Sequence, residues 1–254
     1  MTNPTPIQWV VFDAVGTLIF ADPPVHMAYH RIGRKHGSSI TPPEASRRFR
    51  KAISTRPGDL ATSPESERQF WRSLVGEILT DVADPDSCFE DLWRHFAAPG
   101  SWAVFADVEE TFEALKSRGL KIAIASNFDE RLHPVCDGHP LLQDIKIRFI
   151  SSELGWKKPS PRFFAVVADK LQSPPASILM IGDDQANDVI PARDAGFQAH
   201  LIDRSASPVK NALKTLTDLP ARLTSDLSSL TPSSPLAAST QAPQRPASAR
   251  TGEA

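Results

Sequence analysis

The sequence predicts an α/β fold: a doubly wound, parallel five-stranded sheet with an inserted all-helical domain and a disordered carboxyl-terminal tail. Short apolar runs, typical of strands buried on both faces, alternate with helical patterns after residue 106, whereas residues 22–102 show helical periodicity alone. Residues 221–254 are rich in Ser, Pro, Ala and Thr, and such a segment buries too little apolar surface to fold. We therefore expect a core formed by residues 1–21 and 103–220, a helical insertion at 22–102 and a tail at 221–254.

The overall composition limits the classes of function. The chain has 254 residues, of which 41% are hydrophobic and 23% charged, and its formal net charge is -2. This near-neutral balance, without a block of Lys and Arg, argues against nucleic acid as a partner. Because no apolar run is long enough to span a bilayer and no secretory signal is recognisable, we expect a cytoplasmic protein without membrane contact. Cys88 and Cys136 lie far apart, as two reduced thiols would, and the oligomeric state is left open.

Residues 9–12 form the first predicted strand. Trp, Val, Val and Phe give an apolar run that ends at Asp13. A carboxylate at the carboxyl end of a buried strand lies where open α/β sheets bind their ligands. Taken alone, Asp13 is more simply explained as a residue of a turn, so its role depends on the residues that accompany it.

Residues 22–102 are predicted to contain several helices and no strand. Thr41, followed by a proline and then Glu44, is typical of a helix start, and Ser63 before a proline opens a second helix. A third helical segment ends before Pro99. The apolar residues of these segments fall on one helical face, which predicts the core of a small helical bundle.

The second half of the chain alternates between helix and strand, which predicts a parallel sheet with right-handed crossovers. The predicted strands cover residues 120–125, 147–151, 177–181 and 198–202. The predicted helices cover residues 107–119, 161–171, 186–195 and 208–216. Asp107 is the expected amino-terminal cap of the first of these helices, and Pro191 falls inside the third.

Polar side chains follow four of the predicted strands: Asp13; Ser126 and Asn127; Lys158; and Asp183, Asp184 and Asp188. Because the carboxyl ends of parallel strands meet at one edge of a sheet, we expect these side chains to be neighbours. Several carboxylates in one place repel each other, and a divalent cation relieves that repulsion. Oxygen ligands without Cys or His favour Mg²⁺ over zinc, and a lysine with a serine hydroxyl suits an anion. The sequence thus predicts a Mg²⁺ site and a small anionic substrate.

These residues form a pattern that resembles the four motifs of the haloacid dehalogenase-like (HAD) hydrolase superfamily. The resemblance runs, in order, through Asp13-x-x-Gly16-Thr17-Leu18, Ser126-Asn127, Lys158-Pro159-x-Pro161 and Gly182-Asp183-x-x-x-x-Asp188. The helical insertion is similar to the mobile cap of subfamily I, which sits on a Rossmann-like core. The stretches at residues 126–129 and 155–159 look most similar to the HAD-like hydrolase domain-containing branch.

The resemblance implies a role for each matching residue. Asp13 would be the nucleophile that forms a covalent aspartyl intermediate. Lys158 would neutralise charge on that carboxylate and on the substrate, Ser126 would hold the transferring group, and Asp188 would support the site or position water. The implied substrate-binding residues are Thr17, Ser126, Asn127 and Lys158. The implied Mg²⁺ ligands are Asp13, the carbonyl of Val15, Asp183 and Asp184.

The sequence departs from the family pattern at Val15. Most phosphatases of the superfamily carry a second aspartate two residues after the nucleophile, where it protonates the leaving alkoxide, and valine has no proton to give. Loss of a general acid lowers a rate about 10²–10⁴-fold. We therefore expect a Mg²⁺-dependent phosphohydrolase for a small phosphorylated metabolite whose leaving group needs little protonation, such as an acyl phosphate.

Three alternatives stay open at this point. A 2-haloacid dehalogenase is similar in residues 13–17 and releases a halide, which needs no acid, but such enzymes use no metal and usually lack the acid at Asp183. A catalytically idle binding or regulatory protein would use the same fold without its chemistry. A phosphonate-cleaving enzyme would need a Schiff-base lysine from the cap, for which Lys35 and Lys51 are available.

Overall fold

The computed structural model of the protein describes residues 5–55, 58 and 60–228. The strands are β1 (Trp9–Phe12), β2 (Ile19–Ala21), β3 (Trp102–Val104), β4 (Lys121–Ser126), β5 (Arg148–Ile150), β6 (Ile178–Gly182) and β7 (Gln198–Leu201). The α-helices are α1 (Val25–Lys35), α2 (Pro42–Ser54), α3 (Pro64–Ile78), α4 (Pro85–Ala97), α5 (Val108–Ser117), α6 (Leu132–Asp137), α7 (Ser151–Leu154), α8 (Pro161–Leu171), α9 (Ile190–Asp194) and α10 (Leu219–Ser228). Of these helices, none is long and apolar enough to cross a bilayer.

Strand β1 is the centre of a five-stranded parallel sheet with the order β5-β4-β1-β6-β7. All four of its residues are buried, as expected for an apolar strand covered on both faces. The register places Phe12 beside Ile124 of β4 and Ile181 of β6, so all three strands run out at the same edge of the sheet. The predicted parallel five-stranded sheet is confirmed.

Helices cover both faces of this sheet. Val10 and Phe12 belong to the apolar cluster that contains Phe112 of α5, whereas Val11 belongs to the cluster that contains Phe163 of α8. Successive side chains of a strand point to opposite sides, which is why one strand contributes to both clusters. This is the doubly wound architecture expected from the alternating strands and helices.

The structure adds a two-stranded antiparallel ribbon that the sequence analysis does not predict. Ile19 of β2 lies opposite Val104 of β3, and Ala21 lies opposite Trp102. Each strand has three residues, too few to show the alternation that reveals a strand. The chain enters the helical segment from β2 and returns through β3. The division into a core at 1–21 and 103–220 and a cap at 22–102 stays a prediction.

Helices α1–α4 form the all-helical cap, and their starts follow the expected capping patterns. Thr41 accepts a hydrogen bond from the backbone N–H of Glu44 at 3.4 Å. Ser63 and Ser66 exchange two hydrogen bonds in a capping box at the start of α3. The four helices enclose an apolar cluster of their own, which includes Tyr29, Ile32, Ala45, Leu74, Ile78, Phe89 and Leu92.

The carboxyl-terminal part differs from the prediction. Residues 208–215 form no helix; instead Leu213 bridges to Ile202 just after β7. Helix α10 follows, with Leu219 fully buried and Leu223 packed against the core. These two leucines lie one helical turn apart and both pack on the core, so the predicted disordered tail does not begin at 221. The rest of the predicted tail, 229–254, lies outside the described residues.

Two local predictions in the second half also need correction. Asp107 occupies the N-cap position of α5, as expected, but its side chain makes no capping hydrogen bond; its carboxylate instead accepts hydrogen bonds from Arg204 (2.8 and 3.0 Å) and from the backbone N–H of Leu216 (2.8 Å). The predicted helix at 186–195 divides into one π-helical turn (Gln185–Val189) and α9. This division places Pro191 in the first turn of α9, where its missing N–H removes no helical hydrogen bond.

Candidate active site

Asp13 is held at the carboxyl edge of the sheet by the backbone of its neighbours. Its N–H donates to the carbonyl of Ile181 at 2.8 Å, which continues the β1–β6 pairing by one residue. The chain then turns sharply, with the N–H groups of Leu18 and Ile19 both donating to the carbonyl of Ala14. Asp13 is only 6% exposed, so its carboxylate depends on protein groups more than on water for stabilisation.

Lys158 provides the positive charge beside Asp13. Its Nζ donates to Asp13 Oδ1 at 2.7 Å, to Asp188 Oδ1 at 2.5 Å and to the carbonyl of Ala125 at 2.9 Å. These three acceptors use all three protons of the ammonium group. Lys158 therefore has a fixed position between the two carboxylates, although they are distant in sequence.

Asn127 holds the backbone that carries Lys158. Its Oδ1 accepts from the N–H of Lys158 at 2.7 Å, and its Nδ2 donates to the carbonyl of the same residue at 2.8 Å. The side chain of Asn127 is thus occupied in positioning the lysine, a role that the sequence analysis does not predict. Ser126, the last residue of β4, is 2% exposed and pairs with Ile150 of β5.

Three carboxylates, of which those of Asp13 and Asp188 are buried and that of Asp183 is exposed, lie together beside the lysine. Oxygens of Asp13, Asp183 and Asp188 all lie within 4.8 Å of one another. Two glycines make this approach possible: a Cβ on Gly16 would lie 2.1 Å from Asp183 Oδ2, and one on Gly182 would lie 2.2 Å from Asp188 Oδ2. Gly16 also has φ of +91°, a conformation that side chains of L-residues disfavour.

The charges of this group fit a divalent metal ion. Three carboxylates against the single ammonium of Lys158 leave two negative charges in a small volume. An all-oxygen donor set of this kind suits Mg²⁺, which binds one or two carboxylates and completes its shell with other oxygens. The residues present therefore fit the metal that the sequence analysis predicts.

The pKa values of the three aspartates reflect the same crowding of negative charge. Partial removal from water and the nearby charge of Asp188 raise the pKa of Asp183 to about 6. Burial raises the pKa of Asp13 and that of Asp188, and Lys158 opposes the increase in both. Burial alone would lower the pKa of Lys158, but its contacts with Asp13 and Asp188 raise it instead. The lysine stays protonated, and the carboxylates gain from a further cation.

Besides Ser126, three predicted site residues lie outside this group of contacts. Asp184 turns its carboxylate to the π-helical turn that follows, where it accepts from the N–H groups of Ala186 (2.8 Å) and Asn187 (3.0 Å). Asp188, not Asp184, is the third carboxylate of the cluster. Thr17 is fully buried, and its hydroxyl has no hydrogen-bond partner among the described residues, so its contact with substrate stays a prediction. Val15 is 39% exposed, and the role of its carbonyl also stays a prediction.

Arg204 is a supporting residue that the sequence analysis misses. It donates to the carbonyl of Thr17 at 2.8 Å and stacks on the ring of Phe105 at 3.7 Å. Its two hydrogen bonds to Asp107 tie the loop after Asp13 to the start of α5. No local pattern marks this arginine, because its partners lie far away in the sequence.

The fold and the site together define a class of protein: a doubly wound α/β core, with a carboxylate–lysine site at the carboxyl edge of its sheet, joined to a helical cap. The haloacid dehalogenase-like hydrolase family profile matches residues 7–196, about three quarters of the chain. The chain belongs to this family of hydrolases. The resemblance drawn from the four sequence motifs is therefore confirmed.

Individual relatives agree with this assignment. Haloacid dehalogenase-like hydrolase domain-containing protein 3 of Danio rerio is 27% identical over 234 residues, which span 86% of this chain and 97% of that protein. A HAD phosphatase from Thermococcus onnurineus has a TM-score of 0.63 at 24% identity, covering 85% of this chain and 98% of its own. A dehalogenase crystallised with an intermediate complex has a TM-score of 0.60 at 24% identity, covering 86% and 97%. At this identity, the two structures show the shared fold alone.

Proposed function

We propose that this hydrolase is a Mg²⁺-dependent phosphohydrolase that uses Asp13 as its nucleophile. The observation that carries the proposal is the position of Lys158 Nζ, 2.7 Å from Asp13 and 2.5 Å from Asp188, with Asp183 in the same carboxylate group. A single carboxylate paired with the lysine would carry no net charge and would not attract a cation. The two further carboxylates make the site one that attracts a divalent cation and, with it, an anionic phosphoryl group.

The residues would share the reaction as follows. A carboxylate oxygen of Asp13 attacks phosphorus, the bond from phosphorus to the leaving oxygen breaks, and that oxygen departs with the electron pair. Water then attacks phosphorus of the aspartyl phosphate, the bond from phosphorus to the Asp13 oxygen breaks, and Asp13 recovers its carboxylate while inorganic phosphate leaves with both protons of the water. Lys158 keeps Asp13 ionised before attack and compensates for the negative charge on the phosphoryl oxygens, and Asp188 fixes the lysine in place. Ser126 would hold the transferring group.

The metal would be held by Asp13, the carbonyl of Val15 and Asp183. When bound, Mg²⁺ neutralises negative charge on the phosphoryl group. Asp184 is left out of this ligand set, because its carboxylate already accepts three hydrogen bonds within its own turn. This differs from the ligands that the family resemblance implies.

The leaving group must be one that departs without a proton. Val15 occupies the position of the family's general acid, and its hydrocarbon side chain has none to donate. Acyl phosphates satisfy this requirement, since a carboxylate is a stable anion at neutral pH. The proposed substrate is therefore a small acyl phosphate or a similarly activated phosphate, and not a phosphorylated alcohol.

Val15 also favours a second candidate, a 2-haloacid dehalogenase. Halide leaves as an anion, and an ester formed on Asp13 would then be hydrolysed by water. Asp183 argues against this candidate, because its carboxylate adds negative charge close to a substrate that is itself a carboxylate.

Hydrolysis of acetyl phosphate tests the proposal. We expect release of inorganic phosphate that depends on Mg²⁺ and stops in excess chelator. Equal activity in chelator, together with halide release from 2-chloropropionate, would replace the phosphohydrolase with the dehalogenase. If neither acyl, aryl nor alkyl phosphates nor the haloacid react, the protein is an idle scaffold with a binding or regulatory role.

A further inference from the structure

The cap and the core are joined by a short antiparallel pairing of their backbones. Residues 60–62, which connect α2 to α3, lie beside residues 155–157, which directly precede Lys158. Two hydrogen bonds connect the segments: Thr62 N–H to the Gly155 carbonyl (3.1 Å) and Lys157 N–H to the Leu60 carbonyl (2.9 Å). We call residues 60–62 the cap strap. The cap thus contacts the chain one residue before the lysine of the candidate active site.

Thr62 fixes the cap strap to the rest of the cap. Its hydroxyl donates to Oε1 of Glu67 at 2.7 Å, and Glu67, in the first turn of α3, is only 4% exposed. Ser63, the next residue in the chain, begins α3 with its capping box. A buried carboxylate and a helix start therefore hold the cap strap in one position relative to α3.

The backbone at Lys158 is held from two sides. On the core side, Asn127 binds the N–H and the carbonyl of Lys158 itself, at 2.7 and 2.8 Å. On the cap side, the cap strap binds the N–H of Lys157. The three acceptors of Lys158 Nζ lie at 2.5 to 2.9 Å, so a backbone shift of about 1 Å weakens at least one of these hydrogen bonds. The cap strap therefore contributes to the position of the ammonium group.

We propose that the cap strap is a positioning element for Lys158, a proposal that rests on the phosphohydrolase function above. Its pairing with residues 155–157 keeps Nζ between Asp13 and Asp188, so that the nucleophile has the orientation needed for attack. Misplacement of a catalytic group by about 1 Å can lower a rate about 10²-fold. The cap then contributes to the reaction through its backbone, independently of the substrate groups that its side chains contact. It follows that the cap strap stays paired during turnover.

Two substitutions of Thr62 test the pairing. Thr62→Pro removes the N–H that donates to Gly155, whereas the matched control Thr62→Ala keeps it. Both variants lose the hydroxyl, so the difference between them isolates the backbone hydrogen bond. For acetyl phosphate, with activity expressed per folded molecule, kcat should be at least about tenfold lower in Thr62→Pro than in Thr62→Ala, and KM should agree within about threefold.

The ammonium group of Lys158 gives a readout that needs no turnover. Its three protons donate to protein acceptors and the lysine is 3% exposed, so these protons should exchange slowly with water. We expect an NMR signal of the Nζ–H group at neutral pH that Lys158→Met abolishes. Exchange of these protons with water should be at least about tenfold faster in Thr62→Pro than in Thr62→Ala.

A reversible cross-link tests whether the cap strap stays paired. Ala61 and Trp156 lie opposite each other as a non-hydrogen-bonded pair, whose Cα atoms are typically about 4.5 Å apart. Cysteines at that distance can form a disulfide. The native cysteines, Cys88 and Cys136, are both buried, which leaves the introduced pair as the one that an oxidant reaches. In the double variant Ala61→Cys/Trp156→Cys, the oxidised form should keep the activity of the reduced form within about twofold.

Three outcomes overturn the proposal. In an active protein, equal kcat in folded Thr62→Pro and Thr62→Ala does so, as does equal exchange of the ammonium protons. A loss of activity on oxidation of the double variant that a reductant reverses means that the cap strap must separate during turnover. If Thr62→Pro does not fold, the oxidised and reduced forms decide, by activity and by exchange of the ammonium protons. Failure of the unchanged protein to hydrolyse acetyl phosphate removes the phosphohydrolase, and the ammonium protons then test the cap strap alone.

Discussion

Lys158 and Arg131 are both buried cations that contact carboxylates, but their surroundings are opposite. Lys158, 3% exposed, lies between Asp13 and Asp188 and has Asp183 in the same carboxylate group. Arg131, 6% exposed, pairs with Asp129 and lies among aromatic rings. Negative charge is in excess around the lysine and is balanced around the arginine.

The difference separates a region arranged for chemistry from a region arranged for packing. An excess of negative charge at a partly buried site is unfavourable unless a ligand completes it, so it indicates a place where a cation and a reacting anion bind. A balanced pair with two parallel hydrogen bonds needs no ligand and fixes the geometry of its surroundings. The lysine therefore belongs to the proposed catalytic site, and the arginine to the junction of cap and core.

The largest expected effects come from replacing the aspartate beside each cation, which tests whether the Lys158 region serves catalysis and the Arg131 region serves packing. Asp13→Asn should lower acetyl phosphate hydrolysis to below about 10⁻⁴ of the unchanged protein, because an amide is not a nucleophile. The matched change Asp129→Asn leaves Arg131 without its counter-charge and should lower the free energy of unfolding by about 3–5 kcal/mol. Its activity per folded molecule should stay within about tenfold.

Steady-state kinetics and urea unfolding of both variants check this pair. Turnover above 1% in Asp13→Asn, with contaminating phosphatases excluded, would remove Asp13 as the nucleophile. Loss of activity in fully folded Asp129→Asn would place the Arg131 region within the catalytic machinery and contradict its assignment to packing.

A substitution at Val15 can supply the missing proton donor and test whether leaving-group protonation limits the reaction at the Lys158 site. Val15→Asp should raise the rate on an alkyl phosphate by about 10²-fold or more and change the rate on acetyl phosphate much less. The expected signature is a change in the ratio of the two rates, which a general loss or gain of stability does not produce. An unchanged ratio in a folded variant would mean that protonation of the leaving group is not what limits the site.

The convergence around Lys158 was predictable from the sequence. Each of the buried runs before Asp13, Ser126 and Asp183 is apolar and short, and helical patterns alternate with them from Asp107 onward. Parallel strands joined by crossovers must bring their carboxyl ends to one edge, so the order of the elements is enough to gather these side chains. The prediction needed no knowledge of individual contacts.

What the sequence did not predict depends on contacts between distant residues. The β2–β3 ribbon pairs segments on either side of the whole cap, and Asp107 pairs with Arg204 although its local context is that of a helix cap. Asp184 and Asp188 are both acidic, and the π-helical turn that starts after Asp184 and contains Asp188 decides which one joins the cluster. Arg131 gave no signal, because an Asp-x-Arg spacing does not reveal that aromatic side chains of the cap will cover it.

Removing each cation tests the charge balance directly. Lys158→Met and Arg131→Met should each lower the free energy of unfolding by about 3–5 kcal/mol, because each leaves a buried carboxylate without its partner. Added Mg²⁺ should restore part of this loss in Lys158→Met, where the excess negative charge has grown, and none in Arg131→Met. Urea unfolding at several Mg²⁺ concentrations measures the loss of stability and its restoration in each variant. Equal restoration by Mg²⁺ in the two variants would contradict the difference in charge balance between the Lys158 and Arg131 regions.

The smallest expected effect distinguishes two neighbouring carboxylates. Mg²⁺ at 100 times its Kd should stabilise the unchanged protein by about 2.7 kcal/mol, because the ion binds the folded state alone. Asp183→Asn should lose most of that stabilisation, since Asp183 belongs to the carboxylate group, whereas Asp184→Asn should keep it, because the amide oxygen still accepts the two backbone hydrogen bonds of the turn. The measurement is the shift in the urea midpoint with and without Mg²⁺. If Asp184→Asn loses as much as Asp183→Asn, then Asp184 is a ligand, as the family resemblance implies, and the turn must rearrange when the ion binds.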